Sequence, residues 1–213
     1  MNYFNDVKCF HDKFGLETPP NFYLVPKSLH DFRVGFFIEE LTEYIESYET
    51  RDMATAIDSL IDLVYITCGA ALLHGFTDEI FEIQSINAFP PKLSDSKKAP
   101  IFLTSNDHLL LKNSISRGIA EYELGYLYND SKRIAEAFNA IYWSCLNGAE
   151  AMSFYQKRWD ILWADVQRAN MQKERVLKAE DSKRGSTWDV RKPEGWIPPR
   201  SEELVEMMKR GEA

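Results

Sequence analysis

Five carboxylates stand at spacings that suit a shared metal site. Glu39, Glu40 and Glu43 form the pattern Glu-Glu-x-x-Glu, which on a helix puts Glu40 and Glu43 one turn apart and Glu39 and Glu43 at i,i+4. Asp58 and Asp62 are also four residues apart, so they share one helix face. Carboxylate oxygens with no cysteine or histidine nearby are typical ligands of Mg²⁺ or Mn²⁺. The spacing therefore predicts a divalent-metal site.

The aspartate pair is the more informative half of this cluster, because its helix has almost no other polar side. Residues 52–75 contain no Lys or Arg that could pair with the two carboxylates. Buried carboxylates are strongly destabilising unless they are paired or bind a cation. Together with the glutamates, this pair favours a divalent-metal site. The alternative is that the glutamates form only a solvated helix face, which is common for this pattern.

The elements that position these residues are predicted to be helices. Apolar residues recur at helical spacing and strand-like alternation is missing, so the sequence predicts an all-α helical bundle in a single domain, residues 1–213. The predicted helices cover residues 29–49, 53–74, 77–87, 108–128, 131–153 and 155–179. The other predicted segments are an irregular lead-in, a Pro-bounded linker and a tail rich in Gly and Pro: 1–28, 88–108 and 180–213.

A faint internal repeat relates the two halves of the chain. It aligns three pairs of segments: 43–52 with 121–130, 62–68 with 139–145, and 82–87 with 165–170. We predict an internal tandem repeat that forms a pseudo-dimer, with a catalytic helical repeat over 29–87 and a second, degenerate repeat over 109–179. Only two acids of the cluster are kept in the second copy: Glu121 and Glu136. The alternative is that amphipathic helices resemble one another by chance.

Charge is distributed unevenly along the 213-residue chain. The net charge is −8, from 25 Lys and Arg against 33 Asp and Glu, which makes the protein a poor general binder of nucleic-acid phosphate. Residues 157–200 nevertheless hold eleven basic and seven acidic residues, so this segment is net +4. A basic segment attached to an acidic body leaves a nucleic-acid-associated protein as a weak rival function.

Cysteine spacing and hydropathy indicate the compartment. Cys9, Cys68 and Cys145 are too few and too far apart for a disulfide framework or a zinc site. The N-terminus lacks the apolar core of a signal peptide. The longest uncharged run, residues 63–77, has 15 residues and is too short to span a bilayer. We expect a cytoplasmic protein with no membrane partner and no stable nucleic-acid partner.

The acidic motifs resemble those of the all-α NTP pyrophosphatases, the superfamily of MazG-like proteins, phosphoribosyl-ATP pyrophosphohydrolase and dimeric dUTPases. The matching stretches are RVGFFIEELTEY (33–44) and AIDSLIDLVYITCGAALLHG (56–75). Three shorter stretches look like the phosphoribosyl-ATP pyrophosphohydrolase-like branch often carried by phages: FHDKFGL (10–16), NMQK (170–173) and KPEGWIPP (192–199). The resemblance covers most of the chain but not residues 88–155. Many relatives have Glu-x-x-Asp on the second helix, whereas Ser59 stands three residues before Asp62 here, so Asp58 is expected to supply the second carboxylate.

The resemblance implies hydrolysis of an NTP or dNTP between its α- and β-phosphates, giving a monophosphate and pyrophosphate. Mg²⁺, or Mn²⁺, held by Glu40, Glu43, Asp58 and Asp62 would bridge the phosphates. Glu39 is the candidate for positioning or deprotonating the attacking water, with Glu43 as its rival. Asn170 is expected to bind sugar or phosphate, and basic side chains are expected to clamp the pyrophosphate. The basic candidates are Lys173, Lys183, Arg184, Lys192 and Arg33.

Several alternatives remain open at the level of sequence. The missing glutamate at Ser59 and the degenerate second copy also suit a non-catalytic nucleotide-sensing or partner-binding bundle. Base preference is open, because the aromatic residues that could stack on a base also suit a core or a strap: Phe14, Trp159, Trp163, Trp188 and Trp196. The oligomeric state is open between a monomeric pseudo-dimer and a homodimer.

Overall fold

Seven α-helices and one short β-ribbon make up the described part of the chain. The computed structural model describes residues 2–90, 99–182 and 184–212. The helices are α1 (Tyr3–Phe14), α2 (Lys27–Thr50), α3 (Met53–Leu73), α4 (Ser105–Leu127), α5 (Ser131–Ala151), α6 (Lys157–Asn170) and α7 (Ser201–Lys209). Two two-residue strands, β1 (Glu174–Arg175) and β2 (Val190–Arg191), pair antiparallel. The predicted all-α bundle is confirmed.

Helix α3 forms the centre of the bundle because it has almost no polar side. Every residue from Leu60 to Leu72 is buried except Asp62, and α1, α2, α5 and α7 all pack against this helix. By length and composition α3 would suit a membrane span, yet 83% of its 18-residue window is buried inside the protein. A central core helix needs the same length and hydropathy, since it is surrounded by apolar neighbours instead of lipid.

Two helical hairpins in the structure share the same kind of connection. Helix α2 ends at Arg51 in the left-handed conformation (φ 60°), and the Asp52 side chain caps α3 by accepting a hydrogen bond from a backbone N–H of its first turn (3.1 Å). Helix α4 is followed by Asn129 (φ 52°), and Asp130 caps α5 in the same way (3.0 Å). The aligned aspartates therefore occupy equivalent positions, while the tandem repeat itself stays a prediction.

The second hairpin satisfies its polar residues where the first hairpin concentrates charge. Glu121, which aligns with Glu43, accepts a hydrogen bond from Nε of Arg133 (2.5 Å). Asn139, which aligns with Asp62, donates its side-chain amide to a backbone carbonyl (2.8 Å). Because Glu121 is paired with Arg133 and the Asn139 amide is uncharged, these two positions leave no comparable charge for a cation to neutralise.

The prediction of an irregular lead-in over residues 1–28 is wrong for the part that forms α1. The Asn2 side chain caps this helix, and Gly15 ends it in the left-handed conformation (φ 60°). Four apolar side chains at helical spacing face the core: Phe4, Val7, Phe10 and Phe14. The prolines that suggested irregular structure all lie beyond its end.

The predicted helix over residues 77–87 is reduced to a short 3-10 helix, Asp78–Phe81. Side chains of α5 bind the carbonyl groups that a longer helix would have used, since Asn139 donates to the carbonyl of Ile83 and Trp143 donates to that of Phe81 (3.1 Å). The segment aligned with residues 82–87, residues 165–170, is α-helical, so the two segments differ in structure and this part of the repeat stays a prediction. Of the predicted linker, residues 91–98 lie outside the described residues.

Helix α6 and the C-terminal tail also differ from the prediction. The helix expected to reach residue 179 ends at Asn170, where the backbone N–H of Lys173 donates to the Asn170 carbonyl (3.1 Å) and the chain turns into β1. The tail predicted over 180–213 contains β2 and ends in helix α7, which packs on α3 and α6. Three apolar side chains of this helix are buried: Leu204, Val205 and Met208.

Candidate active site

All five predicted carboxylates line one cavity. The cavity has a volume of about 600 Å³ and lies between α2, α3, the end of α6 and the β-ribbon. Glu39, Glu40 and Glu43 reach it from α2, and Asp58 and Asp62 reach it from α3. Helices α2 and α3 pack closely as a hairpin, which turns their two acidic motifs toward the same space. The structure therefore brings the whole predicted acidic cluster together.

Burial and like charge perturb two of these carboxylates strongly. Burial, with the charges of Asp62 and Glu43, raises the pKa of Glu40 to about 9. Burial and the charge of Asp58 raise the pKa of Asp62 to about 7, against the attraction of Lys173. One oxygen of Glu40, Oε2, is buried with no hydrogen-bond partner among the described residues. A proton or a bound cation would stabilise an unpartnered carboxylate oxygen of this kind.

Asp58 and its neighbour Ser59 point to different environments. Asp58 lines the cavity and accepts a hydrogen bond from Oγ of Ser201 at the start of α7 (2.8 Å). Burial raises the pKa of Asp58, and the hydrogen bond from Ser201 opposes that shift. Ser59 is buried in the bundle, and its hydroxyl donates to the carbonyl of Thr55 (2.9 Å). Asp58, and not residue 59, therefore supplies the second carboxylate of α3 to the cavity.

Glu39 is held in an ion pair at the cavity wall. Nη2 of Arg184 donates to both of its carboxylate oxygens, each at 2.8 Å. The same guanidinium lies 4.5 Å from the ring centroid of Phe36 and 3.6 Å from the buried Asp189. Glu43 also lines the cavity but has no ion-pair partner within the described ranges. Glu39, predicted to act on the water, and Arg184, predicted to bind the pyrophosphate, thus bind each other.

The β-ribbon positions the two predicted lysines. Glu174 pairs with Arg191, so Lys173 and Lys192, which stand just outside the two strands, flank the same end of the ribbon. Both lysines line the cavity. Burial lowers the pKa of Lys173, and the charge of Asp62 opposes that shift. The ribbon therefore brings basic side chains to the acidic cluster from a distant part of the sequence.

Asn170 and Tyr65 form a polar wall between α6 and α3. Asn170 is buried at the end of α6, and both residues line the cavity. The Tyr65 hydroxyl donates to Oε1 of Gln167 (2.8 Å) and also interacts with the Asn170 side chain. Of the remaining predicted binding residues, Lys183 lies outside the described residues.

Arg33 lies at the other end of the cavity. It stands two helical turns before Glu40 on α2, which separates the two backbones by roughly 10 Å. Its Nη2 donates to the carbonyl of Ile66 (2.7 Å), while its Nε is buried with no partner among the described residues. Burial lowers the pKa of Arg33 to about 10, so the side chain remains charged at neutral pH.

His11 is a cavity residue that the sequence analysis missed. The side chain is 1% exposed, and its Nδ1 has no partner in the described part of the chain. Burial and the charge of Arg33 lower the pKa of His11 to about 3, so the imidazole is neutral. A Cβ added at Gly69 would lie 2.9 Å from Nη2 of Arg33 and 3.2 Å from Nε2 of His11, so glycine makes room for both. The available signal was helical spacing, because His11 follows the core residue Phe4 by seven positions.

The donor set suits a hard divalent cation, although it is not preassembled. Within residues 2–90, 99–182 and 184–212, no three His, Cys, Asp or Glu side chains are arranged to hold an ion. Carboxylates that share a cavity repel one another, which opposes their convergence without a counter-ion. The unpartnered oxygen of Glu40 and the all-oxygen character of the cluster fit Mg²⁺ or Mn²⁺.

Comparison with known proteins agrees with the acidic half of this cavity. Residues 7–83 match the phosphoribosyl-ATP pyrophosphohydrolase family, a range that includes most of α1 and all of α2 and α3. It holds the five carboxylates and ends well before the β-ribbon. No curated protein and no solved structure matches the chain. Over residues 7–83 the chain is therefore similar to a family of the all-α NTP pyrophosphatase superfamily, and the match supports a pyrophosphohydrolase activity on nucleotides.

Proposed function

We propose that the protein is a metal-dependent nucleoside triphosphate pyrophosphohydrolase. It cleaves an NTP or dNTP between the α- and β-phosphates and releases a monophosphate and pyrophosphate. The observation that carries this proposal is the pairing of an acidic wall, with the unpartnered oxygen of Glu40, and basic side chains across one cavity. A triphosphate is polyanionic, so an acidic wall binds it only through a cation, while the basic side chains contact it directly.

Glu40, Asp58 and Asp62 are the residues that would hold Mg²⁺ or Mn²⁺, with Glu43 beside them. The bound ion supplies charge neutralisation for the phosphates and lowers the pKa of water in its coordination shell. The hydrogen bond from Ser201 fixes the direction of the Asp58 carboxylate, which leaves its other oxygen for a ligand. Helix α7 thereby acts as a support for the acidic wall.

Glu43 is the candidate that accepts the proton of the attacking water. It lies among the other carboxylates and is unpaired within the described residues, whereas Glu39 is neutralised by Arg184. As the water oxygen bonds to the α-phosphorus, the water proton passes to the Glu43 carboxylate. The anhydride bond to the β-phosphate breaks, and pyrophosphate leaves with its electron pair. Glu39 acts in this scheme as the residue that positions Arg184.

Lys173, Lys192 and Arg184 are placed to bind the phosphates that leave. Lys192 is held by packing, because its Nζ lies 4.3 Å from the ring centroid of Trp196. The indole N–H of Trp196 in turn donates to the carbonyl of Ala169 on α6 (2.8 Å). A bound polyphosphate would contact Arg184 while Glu39 holds the guanidinium in place.

A product assay tests the proposal. The protein is incubated with ribo- and deoxynucleoside triphosphates and phosphoribosyl-ATP in Mg²⁺ or Mn²⁺, and the products are separated by ion exchange. Glu40→Gln and Asp62→Asn are the test variants. Glu46→Gln is the matched control, because Glu46 is exposed on the same helix and does not line the cavity. We expect monophosphate and pyrophosphate from the wild type and the control and their loss in both test variants.

Two other outcomes would contradict the proposal. Diphosphate and phosphate as products would mean that a different bond is cleaved. Absence of any turnover, together with no change in melting temperature on adding Mg²⁺ or Mn²⁺, would favour a non-catalytic nucleotide-binding bundle. The ion pair between Glu39 and Arg184 is equally compatible with such a bundle, because it stabilises the fold without requiring catalysis.

A further inference from the structure

We propose that Arg33 and His11 form a nucleobase-reading subsite that selects bases with a lactam edge, namely guanine, uracil and thymine, over adenine and cytosine. The inference rests on the proposed function, because it uses the phosphate position that function implies. It assigns Arg33 to the base and not to the pyrophosphate clamp. It also assigns a role to His11, which the hydrolysis scheme does not use.

The two ends of the cavity are separated by the length of a nucleotide. Arg33 and Glu40 are seven residues apart on α2, and Gly69, against which Arg33 packs, is seven residues beyond Asp62 on α3. At 1.5 Å per residue both spacings amount to roughly 10 Å. With the phosphates at the acidic end, the sugar spans this gap and the base reaches the end that holds Arg33.

Arg33 differs from Arg184 in its ionic partners, although both guanidinium groups lie against the ring of Phe36. Within the described residues no carboxylate lies within 4 Å of its guanidinium, whereas Arg184 pairs with Glu39. The guanidinium carbon lies 5.5 Å from the ring centroid of Phe36, and Phe10 and Ile66 also line this end. Flat apolar side chains around a fixed donor suit a base, whose ring needs contact area and whose edge needs hydrogen bonds.

The hydrogen-bonding capacity of the pair sets the preference. An arginine side chain only donates, so it binds a carbonyl oxygen and is repelled by an exocyclic amino group. The neutral imidazole of His11 accepts through one nitrogen, which suits the ring N–H beside that carbonyl. Guanine, uracil and thymine present a carbonyl next to a ring N–H, whereas adenine and cytosine present an amino group next to a bare ring nitrogen. Nε of Arg33 has no partner among the described residues, and a backbone hydrogen bond with Glu17 engages only one nitrogen of the His11 ring.

Competition between substrates tests the preference directly. We expect kcat/KM for dGTP, dTTP or dUTP to exceed that for dATP and dCTP by at least about tenfold, as for a specific base contact. In Arg33→Gln the amide both donates and accepts, so the ratio should fall to about threefold or less. Arg117→Gln is the control, because Arg117 is exposed on α4 away from the cavity, and it should keep the wild-type ratio.

A second measurement uses the wild-type protein and needs no turnover. In EDTA, guanosine or uridine should raise the melting temperature, and adenosine or cytidine should not. Absence of NTP turnover with this nucleoside pattern intact would overturn the proposed function and leave the subsite standing. Turnover with equal or greater preference for adenine or cytosine would overturn the subsite alone. Protection by inorganic pyrophosphate in EDTA, lost in Arg33→Gln, would assign Arg33 to phosphate and also overturn it.

Discussion

Replacing Glu40 by glutamine should stabilise the metal-free protein while it abolishes activity. Glu40 is buried beside other carboxylates, and its Oε2 has no partner among the described residues. Glutamine has nearly the same shape and removes the like charge. Its side-chain N–H can also donate a hydrogen bond to Asp62 or Glu43. A variant that loses function and gains stability is expected where a site holds strain for its ligand.

The size of the gain follows from the pKa of Glu40, which the fold raises from its ordinary 4.5 to about 9. A carboxyl whose pKa is raised on folding opposes folding increasingly as the pH rises from 4.5 toward 9. At pH 7 the opposing free energy reaches about 3 kcal/mol, and water in the cavity reduces it toward about 1 kcal/mol. For a chain of this size that corresponds to a melting temperature higher by roughly 3–10 °C.

The assay is thermal unfolding followed by circular dichroism in EDTA between pH 4.5 and 8. The difference between Glu40→Gln and wild type should be near zero at the acid end and grow with pH, whereas Glu46→Gln should follow wild type throughout. In a separate titration without EDTA, each tenfold increase in Mg²⁺ concentration should raise the melting temperature of wild type and not that of Glu40→Gln. A variant that melts below wild type at pH 8, or that gains as much from Mg²⁺, would refute the reasoning.

Three further predictions concern catalysis, pH and packing. Glu43→Gln should lower kcat by about 100-fold or more, and Glu39→Gln should chiefly raise KM; the reverse pattern in initial-rate measurements would make Glu39 the base. Burial lowers the pKa of His74 to about 4, so the stability that its neutral imidazole contributes is full above pH 6.5 and falls as the pH drops toward 4. In urea titrations, wild type should lose about 3 kcal/mol more than His74→Gln over this interval; equal changes in both proteins would argue against it. In Gly118→Ala the new Cβ would meet a facing isoleucine at 2.5 Å, so unfolding should become easier by about 1–3 kcal/mol, whereas Gly35→Ala faces open space and should be neutral or stabilising. Equal melting temperatures for the two alanine variants would contradict this packing.

The four central helices could be predicted from the sequence because local signals specify them. The helix predicted over 53–74 is observed as Met53–Leu73, and the one predicted over 131–153 as Ser131–Ala151. Asp52 and Asp130 cap these helices, and their apolar patterns continue without a break. Helix α1 was missed because the prolines that follow it dominated the interpretation of a short segment whose apolar spacing was helical.

The composition of the cavity was also largely predictable, but its contacts were not. The five acids, Asn170 and four of the five basic candidates line the cavity, and Lys183 is outside the described residues. Their chemical roles remain predictions. The ion pair between Glu39 and Arg184 joins residues 145 positions apart, and the ribbon that sets Lys173 beside Lys192 has strands of only two residues. Neither contact leaves a periodic signal in the sequence.

The uneven charge of the sequence has a physical explanation in the way that the two parts meet. The acids come from residues 39–62, while the basic side chains that face them come from residues 173–192. Uncompensated, the buried carboxylates would oppose folding, so the basic segment reduces their repulsion even without substrate. That compensation is incomplete, because Arg184 is engaged by Glu39 while Glu40 keeps an unpartnered oxygen. The net result is a cavity whose remaining negative charge favours a cation and whose basic rim favours the anion that such a cation would bring with it.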